Sequence, residues 1–173
     1  MIFTSFEYIL FLLLFFIVYW FFNKCSWQNV ILLVGSYFFY GFINPRLCLL
    51  IAGITLINFL CSRGIELYEE HKKLFLITGT VSSLIILSFF KYFNFFSDSI
   101  YQFLILIGFR IAPYHLDIIL PVGISFYTFQ AMGYTVDVYR NQLRPRKNLI
   151  DFALFVAFFP QLIAGPIERA KRL

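Results

Sequence analysis

Charge is what this sequence has least of: Asp, Glu, Lys and Arg make up 13% of its 173 residues. Soluble domains carry about a quarter, so the shortage excludes an ordinary water-soluble globule. Cysteine is scarce as well. Cys25, Cys48 and Cys61 lack metal-type spacing, which excludes a disulfide framework and a cysteine metal site. Histidine occurs twice. His71 sits in the solvated run Glu-Glu-His-Lys-Lys, and His115 precedes Asp117 with no nucleophile nearby, which is too little for a proton relay. There is no Ser-His-Asp set, P-loop or dinucleotide fingerprint. Acidic groups are fewer than basic ones, and the net charge is +5. The cations fall in short clusters between apolar runs, however. That placement suits membrane-flanking loops and argues against a nucleic-acid groove.

What is abundant is apolar surface. Hydrophobic residues make up 61% and aromatics 22%, with 25 Phe. A soluble fold of this length could not hide so many rings, whereas lipid can accept them. The fold class is therefore an all-α, polytopic integral membrane protein. A span needs about 20 mostly apolar residues, and the sequence offers spans near 3–22, 27–43, 47–62, 74–96 and 118–139. Residues 149–166 form a further apolar run broken by Asp151, Pro160 and Gln161. Ile100–Ala112 is too short to cross and reads as a separate interfacial or buried helix. No repeat or linker divides the chain, so 1–173 reads as one transmembrane domain. The first run has no basic residue ahead of it and no small-residue cleavage site, so it reads as a retained helix.

Basic residues cluster at Lys24, Arg63–Lys73 and Arg140–Lys147, which predicts an external N-terminus with those loops in the cytoplasm. Arg169, Lys171 and Arg172 favour the same side as Arg140–Lys147. The broken segment between them is therefore expected to dip in and return.

Polar groups at bilayer depth are costly and call for a reason. Asn58 reads as a bond to a neighbouring helix, and Lys91 as a snorkelling cation. The stretch Leu120–Arg140, LPVGISFYTFQAMGYTVDVYR, is the densest case, with Pro121, Gly123, Ser125, Thr128, Gln130, Gly133, Thr135 and Asp137. Such a backbone survives in lipid only against protein or a watery cavity. Gln130 and Asp137 share a helical face, with Gly133 and Tyr134 between them, and Arg140 lies one turn beyond Asp137 as a possible partner. A seam locking helices and a tunnel wall both satisfy this pattern.

The chain resembles the membrane-bound O-acyltransferase family, in its alginate O-acetyltransferase-like branch. The resemblance rests on FTSFEY (3–8), SYFFY (36–40), KYFNFF (91–96), the 120–140 block and FFPQLIAGPIER (158–169). It implies a partial ring of tilted and broken helices around a tunnel. It also implies transfer of an acyl group, here acetyl, to a hydroxyl of a cell-surface or exported polysaccharide such as alginate. The donor would be acetyl-CoA or an acyl carrier on the cytoplasmic side. The partners would be membrane lipid, the polysaccharide acceptor and other proteins of a modification complex, and the location the bacterial inner membrane. D-alanyl transfer to teichoic acid is a similar activity; a transporter subunit or a non-catalytic scaffold are readings of other classes. The residues implied to line or brace the tunnel are Ser125, Tyr127, Gln130, Asp137, Arg140, Pro160, Gln161, Glu168 and Arg169. The family's catalytic His matches neither His71 nor His115. The chain thus reads as an N-terminal portion that ends before the base, and no catalytic residue is assigned. Alone, such a portion is expected to leave its Gln130–Asp137 face open to lipid.

Overall fold

A computed structural model describes residues 6–43, 45–108 and 123–164 of the chain. Helices α1 (Phe6–Phe21) and α2 (Cys25–Ile43) form a first pair, followed by α3 (Pro45–Leu67) and α4 (Lys72–Leu106). After residues 109–122, which lie outside the description, come α5 (Ile124–Tyr139), α6 (Leu149–Ala157) and α7 (Phe159–Ala164). A 3₁₀ turn at Glu69–His71 joins α3 to α4. Among the described residues there is no strand. The protein is an all-α membrane protein, and among the described residues two helical stretches, Cys48–Leu67 and Glu69–Leu106, are long and apolar enough to cross a bilayer.

Each helix end has a local cause. Pro45 opens α3 at the position where its missing N–H costs nothing. Gly108, with φ of 97°, closes α4 and donates its N–H to the Ile105 carbonyl, the left-handed stop that glycine adopts most readily. Asn148 caps α6, its side-chain oxygen accepting from Ile150 N at 3.0 Å. The expected separate helix at Ile100–Ala112 does not form as one. The α4 helix runs through Phe96 and on to Leu106, because Ser97, Asp98 and Ser99 are polar but include no Pro or Gly to break the ladder. At 1.5 Å per residue, α4 is about 52 Å long, well beyond the roughly 30 Å of a hydrocarbon core.

Close helix contacts use small residues. The Phe15 ring of α1 occupies the space that a Cβ on Gly35 of α2 would need. Gly79 of α4 lets α3 approach so nearly that an added Cβ would lie 3.1 Å from Cys61 Cβ. Both are the small-residue packing that helices use in lipid, where no hydrophobic drive separates helix from solvent. Outward faces remain apolar: Leu13, Phe16 and Ile17 of α1 and Leu74, Ile85 and Phe95 of α4 are all exposed.

Three connections gather at one end of the bundle. Lys72 Nζ lies 6.0 Å from the Tyr139 ring centre, joining the α3–α4 turn to the end of α5. Cys25, at the start of α2, and Arg146, in the α5–α6 loop, line one cavity. The basic residues of all three connections thus share an end.

Candidate functional site

The central feature is the interruption between α6 and α7. Phe158 is extended (φ −59°, ψ 105°), so the helix stops after Ala157 and restarts at Phe159. Pro160 is the local cause: it offers no N–H, and its ring would collide with the carbonyl four residues back if α6 simply continued. A continuous helix would have bonded Phe159 N–H to the Phe155 carbonyl. The break separates these two groups, and each takes a side-chain partner from elsewhere. Phe159 N donates to Ser36 Oγ of α2 at 3.3 Å. The Phe155 carbonyl accepts from Gln130 Nε2 of α5 at 2.7 Å. Ser36 in turn donates to the Leu32 carbonyl at 2.7 Å. Buried backbone groups left unpaired would each cost about 1–3 kcal/mol, so the two side chains make the break tolerable. Phe159 itself is enclosed by the rings of Phe11, Phe15 and Phe39.

A second polar cluster ties three helices together. Asn58 of α3 donates to Ser83 Oγ of α4 at 2.8 Å and to the Ile54 carbonyl at 2.9 Å. Thr135 of α5 donates to Asn58 Oδ1 at 3.0 Å, and Ser83 donates to the Gly79 carbonyl at 2.7 Å. All three side chains are fully buried. The expectation that Asn58 bonds a neighbouring helix is met twice over.

At the basic end, a cavity of about 500 Å³ opens among α2, α5, α6 and α7. Asn29 donates to Asp151 Oδ1 at 2.9 Å across it. The Tyr134 hydroxyl accepts from Arg146 N at 2.7 Å and pins the loop to α5. Arg146, Asp151 and Gln161 line the cavity above a floor that includes Phe152, Phe155 and Phe158.

The residues singled out from the sequence fall in several places. Ser125 accepts from Lys91 Nζ at 3.3 Å, at an exposed position. Tyr127 is fully buried, and its hydroxyl has no partner. Gln130 is buried, with Oε1 unpartnered on the far side of its bond to Phe155. Asp137 is half-buried, Arg140 is exposed, and the two form no ion pair with each other. Arg140 ends the helix instead: its N–H closes the last turn on Val136, and its side chain lies outward. Pro160 is exposed at the start of α7. Gln161 lines the cavity, its Nε2 buried and unpartnered. Glu168, Arg169, His115 and Asp117 lie outside the described residues. So Gln130 and Pro160 belong to the break and Gln161 to the cavity, whereas Ser125 and Arg140 stand apart from both.

Two expectations need correction. The Gln130–Asp137 face is not left open: Gln130 is only 2% exposed because α6 covers it. Gly133 does not share that buried face. It is exposed, and nothing lies within 4 Å of where a Cβ would stand. The sequence reading missed Ser36, Asn29 and Asp151 as partners. Their signal was present, since each is a polar residue within or beside an apolar run. Which helix each would meet was not.

Tyr40, Thr55, Tyr127, Gln130 and Gln161 all carry a buried polar atom without a partner. Such atoms are few in well-packed proteins and ask for water, a ligand or further protein. The fold and site define an α-helical membrane protein with a polar interior built around a broken helix. The whole chain is 39% identical to the probable alginate O-acetylase AlgI of Pseudomonas aeruginosa and 38% identical to that of Pseudomonas putida. A 79% share of it is 34% identical to a peptidoglycan O-acetyltransferase of Helicobacter pylori. The chain spans about a third of the length of these relatives: 34%, 36% and 30% respectively. No family model and no solved structure matches it. This likeness agrees with the resemblance to the alginate O-acetylase-like branch of the membrane-bound O-acyltransferases.

Proposed function

We propose that the chain is the helical portion of a membrane O-acetyltransferase that esterifies a hydroxyl of an exported or cell-surface polysaccharide. The observation that carries this is the likeness of all 173 residues to probable alginate O-acetylases. The alginate and peptidoglycan relatives act on different glycans by name, and both names describe O-acetyl transfer. That shared reaction favours acetyl over D-alanyl as the group moved. The acceptor oxygen attacks the carbonyl carbon of an acetyl thioester, the C–S bond breaks, and the hydroxyl proton leaves with the thiol. Acetyl-CoA or an acyl carrier is the donor, and other proteins of the same modification complex are the partners.

The proposed setting is a multi-pass protein of the bacterial inner membrane with its N-terminus outside. Collection of the three basic connections at one end supports this, because basic loops favour the cytoplasm. In that orientation α6 and α7, of 9 and 6 residues, enter from the cytoplasmic side and are too short to cross. The buried, unpartnered atoms of Tyr127, Gln130 and Gln161 support a role for these residues in lining or bracing a polar passage. Asp137, Pro160, Glu168 and Arg169 are proposed for the same wall, and Ser125 and Arg140, which stand apart from the break and the cavity, for its outer bracing.

The test is deletion of the gene that encodes the chain, followed by release of ester-linked acetate from the exported polysaccharide with mild alkali. Loss of acetate, restored by the intact gene, is the expected result. Unchanged acetylation would refute the proposal.

A further inference from the structure

The cavity at the basic end has a chemistry of its own. Its floor is aromatic, with Phe155 and Phe158, and its rim carries the Arg146 side chain. Asp151 is the opposing charge. It is already held by Asn29 Nδ2 and sits in the first turn of α6, where the helix dipole offsets a carboxylate. Gln161 contributes a buried amide Nε2 that finds no acceptor. The site therefore offers a cation and an unpaired donor beside an apolar lining, which complement an acceptor-rich, anionic group with an apolar tail. Its volume of about 500 Å³ lies within the usual range for small-molecule sites.

The level of the rim points to the source of such a molecule. Cys25 and Asn29 flank the exposed Trp27 at the start of α2, which stacks on Phe22 of the α1–α2 connection at 6.1 Å. An exposed Trp at such a helix start marks the headgroup layer of a membrane protein. The rim thus lies where lipid phosphates lie, and Lys24, Arg144 and Lys147 are exposed nearby in the connections that share this end.

We propose that this cavity binds an anionic phospholipid of the surrounding leaflet. Its phosphate meets Arg146, an ester oxygen accepts from Gln161 Nε2, and the first part of one acyl chain lies along Phe155 and Phe158. The bound lipid fastens the α5–α6 loop to α2 and holds the broken segment in place. This inference does not depend on the proposed acetyl transfer.

The experiment uses the full-length protein in mild detergent, with phosphatidylglycerol or phosphatidylcholine added. Retained lipid is read by native mass spectrometry, and alkylation of Cys25, an exposed thiol on the cavity wall, is read by peptide mapping. Phosphatidylglycerol is expected to be retained preferentially and to slow alkylation of Cys25. Arg146→Gln should weaken phosphatidylglycerol binding about fivefold, the share of one cation near a lipid surface. Only the Arg146 side chain is altered, so the backbone bond to Tyr134 persists. Leu154→Trp, which fills the cavity, should abolish retention of both lipids, and Arg144→Gln, off the cavity, should change nothing. Equal retention of the two lipids overturns the proposal, as does an Arg144→Gln loss equal to that of Arg146→Gln. Displacement of the lipid by inorganic phosphate or coenzyme A alone would assign the cavity to a soluble anion and overturn it too.

Discussion

Gln130 gives its side-chain amide to the Phe155 carbonyl, the oxygen that the break at Phe158 takes from Phe159 N–H. A side chain 25 residues away in sequence thus replaces a helical hydrogen bond. Replacing Gln130 with Leu should destabilise the full-length protein by about 1–3 kcal/mol, because the Phe155 carbonyl stays buried without a donor. Ser36→Ala should act in the same direction from the other side of the break. Thermal unfolding in detergent, followed by circular dichroism, measures both, and a stability equal to wild type in both variants would show that the splint is dispensable.

The Asn58–Thr135 bond should behave as a coupled pair. Asn58→Ala strips Ser83 and Thr135 of a shared partner, whereas Thr135→Val removes the bond to Asn58 and a local one to the Ala131 carbonyl. A double-mutant cycle should give a coupling of about 0.6 kcal/mol, the average for such bonds between membrane helices, and at most about 1.7 kcal/mol. Strict additivity would mean that the cluster is not a working network.

Two glycines should respond with opposite sign to alanine. Gly35→Ala meets the Phe15 ring, which Phe11 and Phe159 hold in place, and should cost about 1–3 kcal/mol. Gly133→Ala meets open space within α5 and should stabilise by up to about 1 kcal/mol through helix propensity. The comparison is made by unfolding midpoints of the two variants under one set of conditions.

Topology can be read by thiol labelling in intact cells. Single cysteines introduced as Arg144→Cys and Lys171→Cys should both resist a membrane-impermeant maleimide and react once the cells are opened. A labelled Lys171→Cys in intact cells would show that the segment 149–164 crosses the membrane.

Much of the helical frame was legible because apolar runs and their Pro, Asn and Gly stops are local signals. The run 27–43 became α2, and 47–62 became most of α3. The reading failed where a polar patch looked like a boundary. Ser97–Ser99 did not interrupt α4, since a helix needs Pro, Gly or a competing partner to end. The site was legible in kind and not in pairing. Gln130, Tyr127, Pro160 and Gln161 stood out as polar or helix-breaking residues in apolar surroundings, but Ser36 and Asp151 gained their meaning from partners 123 and 122 residues distant.

By itself, then, the sequence determined the solvent of this protein and the places where Pro and Gly interrupt its helices. Hydropathy, aromatic content and the positions of Pro and Gly act through transfer free energies and backbone sterics that each residue carries with it. Tertiary structure decided which polar atoms meet. Whether Gln130 faces lipid or the opened end of α6 depends on how α5 and α6 are rotated against each other, and that rotation is fixed by packing across the whole bundle.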